Sequence, residues 1–138
     1  LRNHAVISAI VGIPLAINAP GFHQQVYLLS YVVVLGVGID LNHFVIGRIN
    51  RGDWSNLIRC LRDPSQVFVD QASIFDQGDI WRDQRLFSHL LIGGVLIVFV
   101  WYISEYLAFV TAVTIYMHVL SYLYSDIRTR DAYLSQSN

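Results

Sequence analysis

Residues 26–46 read VYLLSYVVVLGVGIDLNHFVI, a run without a turn signal whose one formal charge is Asp40. Its valines suit a strand in water, but strands usually stop after about six residues. A helix needs about 20 largely apolar residues to cross a bilayer core, and this run supplies them. Working outward, three more apolar runs appear at about 4–18, 86–103 and 106–125. The first is the shortest, with Gly12 and Pro14 inside it. It is read as a retained crossing because the Asn18-Ala19-Pro20-Gly21 turn makes a poor cleavage site.

The basic residues fix a topology. All nine are arginines (Arg2, Arg48, Arg51, Arg59, Arg62, Arg82, Arg85, Arg128 and Arg130), and every one lies outside the four runs or at their ends. The two short connections, near 18–25 and at Ser104-Glu105, contain none. Positive charge is retained on the cytoplasmic side, so both termini and the central loop are expected there. The expectation is an all-α, single-domain integral membrane bundle over 1–138, with four transmembrane helices and a cytoplasmic central loop containing a short interfacial helix.

Composition agrees with a lipid environment: 54% of residues are hydrophobic and 14% charged, too apolar for a soluble bundle with a polar face on each helix. A net charge of -1 gives no general attraction to nucleic acid. Cys60, the single cysteine, has no internal partner and is expected to stay reduced. In the central loop Asp53 can cap a short helix with Trp54, Leu57, Ile58 and Leu61 on one side and Ser55, Asn56, Arg59 and Arg62 on the other. Pro64 ends it, and Ser65 to Arg82 is either a surface loop or a second short helix around Val67 to Phe75.

Alternating helix directions bring His4, Asp40, His43, His89 and Asp126 to similar depth at the cytoplasmic end. Asp40 and His43, three apart, share a helix face. A carboxylate near hydrocarbon is costly unless a cation, a metal or a hydrogen-bond network balances it. Two carboxylates and three imidazoles suit zinc, manganese or iron, divided between two metals or between ligands and an acid-base group. Each member also has a simpler reading: Asp40-His43 as a hydrogen-bonded pair, His4 as an interfacial histidine, His89 as a packed one, and Asp126 as a partner of a nearby arginine. His118 lies about 12 Å along its helix from Asp126 and reads as a structural histidine satisfied by another helix, with Tyr122 midway. His23 sits in the opposite loop.

Several motifs resemble those of a family of small membrane-embedded metal-dependent hydrolases. His4 is similar to an early histidine of that family. Gly38-Ile39-Asp40-Leu41-Asn42-His43 resembles a Pro-Asp-x-Asp-His motif, Gln84-Arg85-Leu86-Phe87-Ser88-His89 a His-Arg-Gly-x-Thr-His motif, and Ser121-Tyr122-Leu123-Tyr124-Ser125-Asp126 a Ser-His-x-x-x-Asp motif. Asn42, Gln84 and Tyr122 replace an acid and two histidines of those motifs. His118 compensates only in a shifted centre, and the simpler reading is a retained bundle with weakened or altered chemistry.

The resemblance implies a metal-dependent hydrolase; the common depth of the cluster puts the reaction at the cytoplasmic membrane surface, where a lipid or lipid-linked phosphate ester is the expected substrate and zinc or manganese the expected metal. Its ligand pool is His4, Asp40, His43, His89 and Asp126, and Asp40 or Asp126 accepts a proton where it is not a ligand. Arg85 either meets a phosphate or anchors against anionic lipid. The competing class is a non-catalytic subunit of a larger membrane assembly or homo-oligomer, packed through Gly36, Gly38, Gly93 and Gly94. A haem- or pigment-binding subunit using His118 ranks below both.

Overall fold

The computed structural model describes residues 2–65, 74–75 and 79–136, with side chains described for 6–65, 74–75 and 79–128. Every regular element among them is helical: α1 (Arg2–Ile17), α2 (Phe22–Gly38), a 3₁₀ turn (Ile39–Leu41), α3 (Asn42–Arg51), α4 (Ser55–Arg62), α5 (Arg82–Trp101) and α6 (Glu105–Gln136). Three stretches are long and apolar enough to cross a membrane: Phe22–Arg51, Arg82–Trp101 and Glu105–Arg128. The apolar part of α1, Val6–Ile17, is shorter. At 1.5 Å per residue it reaches roughly 18 Å, against about 30 Å of hydrocarbon.

The second helix is longer than its sequence suggests and changes pitch on the way. The glycines at 36 and 38 weaken helix propensity ahead of the Ile39–Leu41 turn. There Asn42 N–H bonds back to the Ile39 carbonyl, three residues away. The helix then resumes and ends at Gly52, whose φ of 86° places it in the left-handed region that a side chain disfavours. The consequence is that Asp40 lies well inside the span, about 16 Å along the helix from Arg51.

Two apolar clusters hold the bundle. At one end Ala16, Leu28, Val32 and Val110 join α1, α2 and α6, and at the other Ile39 packs with Ile115 and Val119 of α6. Polar groups inside are satisfied locally: Thr111 Oγ1 donates to the Leu107 carbonyl at 2.7 Å and accepts from Tyr31 Oη at 2.6 Å. Large apolar side chains such as Val34, Val95, Phe99 and Tyr116 point outward, as they would against lipid. Trp101, Tyr102 and Tyr106 are exposed around the α5–α6 turn, where an interfacial aromatic belt was expected.

The glycines divide differently from the sequence expectation. A Cβ on Gly93 would lie 2.9 Å from Ile115 Cγ2, so this glycine brings α5 against α6. Gly38 and Gly94, also expected at close contacts, meet nothing within 4 Å.

The central segment is tied down by one buried acid. Asp79 Oδ2 accepts from Asn56 Nδ2 at 2.9 Å, Oδ1 accepts from Arg51 Nη1 at 3.3 Å, and its carbonyl accepts from Asn50 Nδ2 at 2.8 Å. Gly47 makes room, because a Cβ there would lie 2.8 Å from Asn56 Nδ2. Helix α4 therefore turns its polar Asn56 inward and leaves Trp54, Ile58 and Leu61 exposed, the orientation of a helix whose apolar side meets the membrane interface. Asp53 Oδ1 accepts from Ser55 N–H at 2.8 Å. These bonds from the Ser55 side chain and backbone, with Arg51 nearby, hold the Asp53 carboxyl below its ordinary range. The second short helix weighed around 67–75 falls largely outside the described residues.

Paired substitutions test the helix contact. Gly93→Ala forces Ile115 to shift and is expected to destabilise the protein by about 1–3 kcal/mol in detergent unfolding. Gly94→Ala faces open space and should be neutral or stabilising by up to about 1 kcal/mol. Equal effects would show that Gly93 is not a packing contact.

Candidate metal centre

Four segments deliver the polar side chains. Asp40 comes from the 3₁₀ turn, His43 from the first turn of α3, His89 from α5, and His118 with Tyr122, one turn apart, from α6. Asp40, His43, His89 and His118 are all buried. One oxygen is the focus: Asp40 Oδ1 accepts from Tyr122 Oη at 2.8 Å and lies 3.2 Å from His118 Nε2, 3.3 Å from His89 Nε2 and 3.9 Å from His43 Nε2. The rings pack on one another, His89 stacking on His118 with centroids 5.2 Å apart and His43 tilted on His89 at 5.2 Å. Phe75 closes the side at His43, edge-on at 6.1 Å.

The tautomer of His89 decides what this cluster can do. Its Nδ1 lies 2.7 Å from the Arg85 carbonyl, an acceptor only, so Nδ1 carries the proton. In the neutral ring Nε2 is then a lone pair, and it faces the carboxylate Oδ1 of Asp40. Two lone pairs at 3.3 Å repel unless a cation lies between them. A metal ion or an added proton on His89 provides one. Donation of one ring N–H to a backbone carbonyl, leaving the other nitrogen for an ion, is the usual posture of a metal-ligating histidine.

The structure brings Asp40, His43 and His89 into a group that could hold a metal ion, with one ligand atom from each lying within 4.8 Å of the others. Among the described residues His43 Nε2 has no hydrogen-bond partner, which leaves its lone pair or proton uncompensated. His118 and Tyr122 have another use, since both can donate to Asp40 and hold its carboxylate in place. His118, read from the sequence as a structural histidine satisfied by another helix, lies 3.2 Å from Asp40 Oδ1 and so joins the cluster outside the expected ligand pool.

Asp126 sits elsewhere, at the mouth. Both its oxygens accept from Arg85 Nη2 at 2.9 Å, and Arg82 Nε is 3.9 Å from Oδ1. The Arg85 guanidinium lies over the Tyr122 ring, 4.2 Å from its centroid. The side chain of His4 lies outside the described residues. His23, near the start of α2, meets Phe22 edge-on and is about 25 Å along the helix from Asp40.

The positions that depart from the hydrolase motifs are all engaged. Asn42 Nδ2 donates to Ser88 Oγ at 2.8 Å, and Ser88 Oγ donates to the Arg85 carbonyl at 2.9 Å, the carbonyl that also holds His89. Gln84 exchanges two hydrogen bonds with Asn50, at 2.7 and 3.2 Å. Tyr122 is the closest donor to Asp40. No family model, curated protein or solved structure matches this chain. The centre therefore rests on its own geometry.

Removing the phenol tests the network. Tyr122→Phe leaves a buried carboxylate oxygen short of its closest donor and is expected to destabilise the protein by about 1–3 kcal/mol. Asp40→Asn combined with Tyr122→Phe should cost less than the sum of the two single changes. Strict additivity in unfolding would show that the hydroxyl and the carboxylate are not coupled.

Proposed function

We propose that this chain is a membrane-embedded metal-dependent hydrolase, with zinc or manganese held by Asp40, His43 and His89 toward the cytoplasmic end of a four-crossing bundle. The observation that carries the reading is the His89 lone pair turned to the Asp40 carboxylate, its tautomer set by the Arg85 carbonyl. One carboxylate and two imidazoles are a donor set for a catalytic site with an open position. A metal bound there would polarise an ester and lower the pKa of water.

The chain's own residues would do the rest. His118 and Tyr122 orient Asp40, and the Asn42–Ser88–Arg85 chain fixes the ring of His89. Asp126 lines the same cavity as His89 and is the carboxylate assigned to take up the proton of the attacking water. In this reading α1 completes the fourth crossing by tilting little and thinning the bilayer locally, and both termini are cytoplasmic.

A second reading, an intramembrane subunit of a larger assembly or homo-oligomer, is favoured by one surface. Gly94 meets nothing within 4 Å, and the exposed Leu90, Leu91 and Val98 stand on the same face of α5. A small residue flanked by apolar side chains lets another helix approach.

Metal analysis separates the readings. Purified protein loaded with zinc or manganese and then desalted should retain about one ion per chain, whereas Asp40→Asn and His89→Ala should fall to background and His23→Ala should not. Metal-dependent cleavage of a membrane lipid extract, absent in Asp40→Asn, reads the hydrolytic step. A folded wild-type chain that retains no transition metal after loading would overturn the proposal.

A further inference from the structure

Beside the metal centre is a cavity of about 430 Å³, counting its open mouth, between α5 and α6. Its walls combine two kinds of surface. Two arginines, Arg82 and Arg85, and two acids, Asp83 and Asp126, line it together with the apolar Leu86, Val119 and Leu123 and the buried His89. Arg82 is more than half exposed, so the arginine side opens outward. Leu123 is exposed along the lipid-facing side of α6. A ligand occupying this space would have an anionic group next to the centre and an apolar part running along the helices.

Arg85 is held in an unfinished way. Asp126 engages it through Nη2 alone, not through a two-nitrogen fork, although a carboxylate can take both. Among the described residues the Nε and Nη1 donors of Arg85 meet no acceptor, while Tyr122 supports the plane of the guanidinium from one face. Arg82 approaches the same carboxylate only at 3.9 Å. A tetrahedral group with several acceptor oxygens can take these spare donors, which Asp126 in its present position leaves unused.

We propose that this cavity is a phosphoryl subsite, in which Arg85 and Arg82 bind the phosphate of a membrane-borne monoester and Asp126 holds Arg85 in the absence of ligand. The substrate class deepens the hydrolase reading and rests on it only for the reaction, because the anion site does not require metal. Binding transfers Arg85 from Asp126 to the phosphate, and the released Asp126 carboxylate is then available to accept a proton. The apolar wall of Leu86, Val119 and Leu123 takes the first part of the lipid chain.

The test is binding to the full chain in phosphatidylcholine nanodiscs, titrated with dihexanoyl phosphatidate, inorganic phosphate and dihexanoyl phosphatidylcholine. Dihexanoyl phosphatidate should bind, with Arg85→Ala weakening it about tenfold or more, Arg85→Lys less so, and Asp126→Asn tightening it by removing the competitor. Phosphatidate binding tighter than inorganic phosphate supports the lipid source. Equal affinities, both lost in Arg85→Ala, keep the phosphoryl subsite and identify free phosphate as its ligand. With metal removed by chelation, Asp40→Asn should bind phosphatidate as the wild-type chain does, so a failed metal assay with intact metal-free binding counts against the hydrolase reading alone. Wild-type affinity in a folded Arg85→Ala variant, or phosphatidylcholine binding as tightly as phosphatidate, would overturn the subsite.

Discussion

A carboxylate buried well inside a helix long and apolar enough to cross a membrane is the constraint on which this bundle depends. Asp40 cannot meet bulk water there, and isolated it would cost several kcal/mol. Helix α6 supplies Tyr122 and His118 from one face and α5 supplies His89, so the register of both helices against the second span is set by one oxygen. The apolar contacts among Ile39, Ile115 and Val119 lie alongside and are made in that same register. Packing and polar satisfaction agree at this point, which is why a short chain can hold so much polarity in its interior.

Much of the architecture is legible in the sequence. The lengths of the apolar runs give three of the four expected crossings as helices long enough to span a membrane, with α1 the shorter fourth, and the short link at Ser104 gives the α5–α6 hairpin, because local composition decides both. Asp40, His43 and His89 are legible as a converging group for the same reason: alternate helix directions bring their ends together. Depth is not legible. The apolar run stops at residue 46, three past His43, but the helix continues through Arg51 to its cap at Gly52. That extension moves the centre inward, includes His118 and leaves Asp126 at the mouth.

The residues that weaken the motif resemblance also have a physical account. Asn42, Gln84 and Tyr122 are neutral where an acid or imidazole would be ionisable; Asn42 and Gln84 donate to neighbouring elements, whereas Tyr122 donates to Asp40 of the centre itself. Asn42 joins α3 to α5 through Ser88, and Gln84 joins the start of α5 to the end of α3. The result is a centre with fewer donor atoms and a firmer frame. Sequence comparison of motifs counts the lost ligands but has no means of counting these bonds.

The 3₁₀ turn at Ile39–Leu41 also separates two packing problems. Three residues wound at 120° instead of 100° rotate α3 by about 60° relative to a continuation of α2. Thus α2 packs on α1 and α6, whereas α3 packs on α4 and α5. The turn works as a gear between them. Side chains on the inner half can be exchanged to suit a different ligand at the centre without turning the outer half away from its own neighbours, so one continuous span can be revised in two independent pieces.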